Sequence, residues 1–82
     1  MYIGEAVKER IIELCRERDI SINKLCSLSG VTQSTVNNIV SGRNNSTTIS
    51  TIKKLCDGLD ISIQDFFNSK LFTDLEQEEY KK

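Results

Sequence analysis

Apolar residues recur every three or four positions along almost all of this 82-residue chain, and nowhere do they alternate for long. That rhythm lines up one face of a helix, whereas a period of two would build strands. Ile3, Val7, Ile11, Leu14 and Cys15 form the first such stripe. Ile22, Leu25 and Cys26 form a second, and Val36, Ile39 and Val40 a third. Ile49, Ile52, Leu55, Cys56 and Leu59 make a fourth, then Ile63, Phe66 and Phe67 a fifth. The phrase Ile61-Ser62-Ile63 alternates but is too short for a strand, and Phe66-Phe67 restores the helical spacing. On the far side of the first stripe stand Glu5, Glu9, Glu13 and Glu17, a like-charged row softened by Lys8 and Arg16.

Capping residues punctuate these stripes. The first helix should end near Arg18. Ser21, Thr32, Thr48 and Ser62 each precede a stripe and can accept a bond from an unpaired N–H of a first helical turn. Asp65, three residues after Ser62, suggests a capping box. Gly30 is the expected left-handed residue after the second helix, since glycine takes positive φ without penalty. Gly42 should end the third helix. Gly58 falls inside the fourth, at a cost of ~1 kcal/mol relative to Ala. The expected fold is all-α, five short helices around one core.

Composition narrows the function. A chain this short holds one domain, here residues 1–73, followed by an acidic polar tail over 74–82. No apolar run approaches the ~20 residues that cross a bilayer. The acids Glu5, Glu9, Glu13, Glu17 and Asp19 are foreign to a secretory signal, so the expected compartment is the cytoplasm, with no membrane partner. There is no His, and Cys15, Cys26 and Cys56 never come at a C-x-x-C spacing, so no metal site or disulfide is expected. The cysteines read as small buried hydrophobes. No base stands at a recognisable spacing from a Ser or Cys nucleophile, and no Gly-rich phosphate loop occurs. The chain is therefore expected to be no enzyme and to use no cofactor.

The net charge is only −1, but it is unevenly placed. No acid occurs from Ile20 to Cys56, while Lys24, Arg43, Lys53 and Lys54 lie in that span. A phosphate backbone could approach there. Within it, residues 21–40 read as helix, Gly-containing turn, helix, the order of a helix-turn-helix. The helix from Gln33 to Val40 has the required two sides. Val36, Ile39 and Val40 face a core, and Gln33, Ser34, Asn37 and Asn38 share the opposite face. Gln and Asn can pair bidentately with adenine N6 and N7.

The run from Ile20 to Arg43, ISINKLCSLSGVTQSTVNNIVSGR, resembles the helix-turn-helix of the Cro/phage-repressor, or xenobiotic-response-element, family. The run from Thr48 to Phe67 resembles that family's fourth and fifth helices, and the similarity extends over about residues 4–67. The resemblance implies a compact five-helix, lambda-repressor-like domain. It also implies a transcriptional regulator, in the first instance a repressor, that binds pseudo-palindromic double-stranded operator DNA as a homodimer. Base reading would fall to Gln33, Ser34, Asn37 and Asn38. Phosphate contacts would come from Lys24, Thr32, Thr35, Arg43, Asn44 and Asn45. Two positions depart from the family. Ile22 stands where a phosphate-binding Gln is common, which leaves that contact to Ser21 or Asn23. Asp60 stands where Gly often follows the fourth helix, and Asp tolerates the left-handed conformation. The alternative is an antitoxin-like interaction module on the same fold, binding a protein partner through Leu71, Phe72 and Leu75.

Overall fold

Among the described residues five α-helices follow one another: α1 (Ile3–Glu17), α2 (Ile22–Ser29), α3 (Gln33–Val40), α4 (Ile49–Leu59) and α5 (Ile63–Phe67). A 3₁₀ turn at Lys70–Phe72 comes after them. The computed structural model describes residues 1–41 and 47–77, and among these there is no strand. The helix starts are chemical, as expected. Ser21 Oγ accepts from Lys24 N at 3.0 Å, Thr48 Oγ1 from Thr51 N at 3.1 Å, and Ser62 Oγ from Asp65 N at 2.9 Å. Gly30 ends α2 at φ 72° and donates to the Cys26 carbonyl at 2.9 Å. Asp60 does the same service after α4 at φ 57°, so the left-handed turn survives without glycine. Asp19 takes a third such turn, at φ 53°, beyond α1.

Each helix contributes to one core. Ile11, Leu25, Val36, Leu55, Cys56 and Phe66 are its most deeply buried side chains, and between them they come from all five helices. Two isoleucines of the expected stripes lie outside it. Ile3 is exposed, and Ile49 is 62% exposed. Both occupy the first position of their helix, and the core does not extend as far as that first turn. The burial of α4 begins at Ile52 and continues at Leu55, Cys56 and Leu59.

A close contact between helices lies where α2 passes α4. A methyl group on Gly58 would stand 2.8 Å from the Cα, Cβ and N of Ser29. The two backbones can meet only because residue 58 has no side chain. Ser29 is fitted to the same spot, its hydroxyl turned back to donate to the Leu25 carbonyl at 2.7 Å. The helical cost of Gly58 is thus tied to packing that its own helix does not reveal.

Arg10 ties the two ends of the fold together. Its Nε donates to the Phe66 carbonyl at 2.7 Å and its Nη2 to the Asp65 carbonyl at 2.8 Å. Carbonyls in the last turn of a helix lack partners within it and carry partial negative charge, so a cation is favoured there. The third guanidinium nitrogen meets Glu13 at 2.5 Å. This differs from the expected relief of the glutamate row, because Glu13 is engaged by Arg10, one turn before it. Glu5 accepts from the backbone N–H of Tyr2 at 3.0 Å and so caps α1.

The segment after α5 is the one that the alternative reading offers to a protein partner. Leu71, Phe72 and Leu75 are half-buried and do not form an open apolar handle. Phe72 packs against the core, with its ring centroid 4.9 Å from that of Phe67 and 6.2 Å from that of Phe66. Phe66 and Phe67 stand edge to face at 5.0 Å. Edge-to-face aromatic pairs add ~0.5–1.5 kcal/mol beyond burial, which holds this segment to the domain. Its Glu76 N–H donates to the Met1 carbonyl at 3.0 Å.

All three cysteines are free and buried, as the stripes imply. Burial pushes each thiol upward, since a thiolate loses its hydration inside the core. The stability gained from keeping them protonated is complete below the ordinary thiol value of 9.0 and is lost as pH rises through the higher folded values. The urea midpoint should therefore fall progressively above pH 9, and a thiol reagent at pH 8 should label the cysteines rapidly only after urea is added. Gly58→Ala separates helix propensity from packing. Propensity alone gives a gain of ~1 kcal/mol, whereas the contact with Ser29 gives a loss of about 1–3 kcal/mol, read by urea denaturation.

Candidate nucleic-acid interface

The turn between α2 and α3 is built from three successive residues with different tasks. Gly30 supplies the left-handed bend, and Val31, buried, anchors the turn in the core. Thr32 is extended and caps α3, accepting from Thr35 N at 3.2 Å. This fixes α3 as a separate helix directed away from α2. Val36 and Ile39 bury one side of α3, and Val40 packs partly beside them.

The other side carries no charge. Gln33, Ser34 and Asn37 are exposed, and Asn38, which shares their face by its spacing, is half-buried. The four lie within two turns of one helix, offering amide and hydroxyl groups outward. Neither α2 nor α3 contains an acid. The partial positive charge at the start of α3 is therefore not offset within its own helix, a setting that favours an anion.

The first turn of α3 is joined to the first turn of α2. Gln33 Nε2 donates to Asn23 Oδ1 in an exposed amide–amide hydrogen bond. Sequence spacing carries no sign of this pair, since it depends on how two helices cross.

The residues expected to hold phosphate fall into three groups. Lys24 is exposed on α2, beside the Ser21 cap. Thr32 and Thr35 are brought together, their hydroxyls 2.9 Å apart, so that one donates to the other and one of the two keeps its O–H for an outside acceptor. Arg43, Asn44 and Asn45, with Gly42, lie outside the described residues. Among the other bases of the acid-free stretch, Lys53 pairs with Asp57 and Lys54 is exposed.

Among the described residues no group of His, Cys, Asp or Glu could hold a metal ion. Two surface depressions lie against α1, α5 and the 3₁₀ turn, and neither is lined by a residue of α2 or α3. No described helix is long and apolar enough to cross a membrane.

Comparison with known proteins points the same way. The family of Cro/C1-type HTH DNA-binding domains matches residues 10–70. Among solved structures, the crystal structure of the prophage Lp1 protein 11 matches at 39% sequence identity with a TM-score of 0.79. The match covers 92% of this chain and 100% of that one. No curated protein sequence matches.

The cap on α3 gives a direct test of how this face is held. Thr32→Ala removes the oxygen that receives Thr35 N and should cost ~1 kcal/mol of stability in urea, whereas Thr32→Ser, which keeps the hydroxyl, should cost less than half of that.

Proposed function

This chain belongs to the family of Cro/C1-type HTH DNA-binding domains, and from that membership we propose that it is a transcriptional repressor acting as a homodimer in the cytoplasm. Its target is a pseudo-palindromic double-stranded operator, entered through the major groove by α3. The observation that carries the reading is the division of α3 into two sides. Val36 and Ile39 are buried, and Gln33, Ser34 and Asn37 stand opposite them in the open. A helix held by one face presents the other to base edges, and amide side chains can both donate and accept there.

The remaining polar groups position the domain. Lys24, Thr32 and Thr35 flank α3 and suit phosphate oxygens, with Arg43, Asn44 and Asn45 following it in the chain. Phosphate contacts of this kind set register and affinity but carry no sequence information. Residues 1–73 form the DNA-binding unit in this reading. The low net charge makes the local supply of bases decisive, because an overall field cannot draw the protein to DNA.

Selection from a randomised duplex library at about 0.1 M salt tests the proposal. The expected result is an enriched palindrome whose half-sites lie about one helical turn, ~34 Å, apart. Affinity should fall steeply with salt as counterions are released. Gln33→Ala and Asn38→Ala should each cost ~1–3 kcal/mol of discrimination at one base pair per half-site. Unchanged site preference in both variants would remove these residues as readers.

A further inference from the structure

The chain turns two of its corners with nearly the same phrase. LCRERDISI, residues 14–22, leads from α1 into α2, and LCDGLDISI, residues 55–63, leads from α4 into α5. The backbone repeats with it. Asp19 and Asp60 are left-handed, at φ 53° and 57°. The Ile20 N–H donates to the Cys15 carbonyl and the Ile61 N–H to the Cys56 carbonyl, both at 3.0 Å. Ser21 and Ser62 then cap the helix that follows. Such a turn needs a residue that tolerates positive φ, and Gly30 meets the same need after α2 without a charge. The turn itself therefore does not require the carboxylate of Asp19. Asp19 is exposed, and among the described residues it joins no ion pair.

The two corners differ in their surroundings. The second is acidic, with Asp57 before Asp60 and Asp65 after it. The first borders the acid-free span, and Arg16, Arg18 and Lys24 are exposed around Asp19, against Glu17. It also opens the helix whose first turn lies beside the first turn of α3, since Asn23 meets Gln33 there. In a helix-turn-helix the second helix meets base edges with its N-terminal residues, while the first crosses the phosphate backbone. Asp19 precedes Asn23 by four residues. The chain between them spans at most ~14 Å, comparable with the ~10 Å over which a charge acts at 0.1 M salt. We propose that Asp19 repels the phosphate backbone and weakens attachment to DNA of every sequence alike. The inference rests on α3 reading the major groove, and it adds a residue that limits affinity without touching a base. Non-specific binding depends on phosphate contacts alone, so this repulsion releases the protein from random DNA, whereas a true site still holds it through α3.

Fluorescence anisotropy with the full chain at about 0.1 M salt tests this on two duplexes. One carries the site enriched from a randomised library, and the other is a shuffled duplex of the same composition. Asp19→Asn removes the charge and keeps a residue that tolerates the left-handed turn, and Asp19→Gly removes it with no side chain at all. Both variants should tighten binding to both duplexes by one common factor, roughly 2- to 5-fold, and the gain should shrink as salt is raised. Asp60→Asn makes the same change in the matching turn and should leave both affinities unaltered. An unchanged or weaker affinity in the two Asp19 variants would overturn the proposal. So would an equal gain in Asp60→Asn, which would trace the effect to net charge, or a gain confined to the enriched site, which would make Asp19 part of base reading. Those outcomes leave DNA reading by α3 intact. The absence of any enriched sequence from folded protein would overturn both the reading and the inference.

Discussion

The meeting of α2 and α4 at Ser29 and Gly58 is the contact from which the geometry of the domain follows. A Cβ on residue 58 would come within 2.8 Å of the Ser29 backbone, so the two helices can lie this close only with glycine there. The contact holds the last turn of α2, and everything that follows takes its bearing from that turn. Gly30 bends the chain, Val31 seats the bend in the core, and Thr32 starts α3. Moving α2 relative to α4 by even a fraction of an ångström would carry the whole of this turn with it, because a close-packed interior transmits displacement.

A second constraint acts from the other end of the fold. Arg10 reaches from the middle of α1 to the last carbonyls of α5 and joins two elements that are remote in sequence. The aromatic trio of Phe66, Phe67 and Phe72 continues that junction and binds the 3₁₀ turn to it. Along the chain the acids lie in α1, at Asp19 and beyond Cys56. The helices α2 and α3 carry none. A chain with a net charge of −1 thus separates its charges along the sequence.

Much of this was legible from local rules. The caps at Ser21, Thr32, Thr48 and Ser62, the left-handed Gly30 and Asp60, and the stripe that buries Leu55 and Cys56 all follow from spacing of four residues or less. The division of α3 into an apolar side and a polar side is of the same kind. Failures occurred where local spacing has no purchase. Ile49 keeps the rhythm of its stripe but sits beyond the end of the core. Phe72 belongs to no helical stripe, yet it is held by rings that lie five and six residues earlier. Gly58 shows only a cost within its own helix, and its role appears when α2 is laid against it.

The sequence by itself determined the helices, their order, the side of each that turns inward and the uncharged polar residues on the outer face of α3. These are properties of a period and a cap, both encoded within one or two turns. Tertiary structure decided which helices touch, and so it decided the partners of Arg10, the meaning of Gly58 and the bond between Asn23 and Gln33. Each of these joins residues whose separation along the chain says nothing of their distance in space. The state of the Gln33 amide is the sharpest case. That Gln33 is an amide can be read from one letter, but its bond to Asn23 depends on a neighbour that only the crossing of α2 and α3 brings within reach.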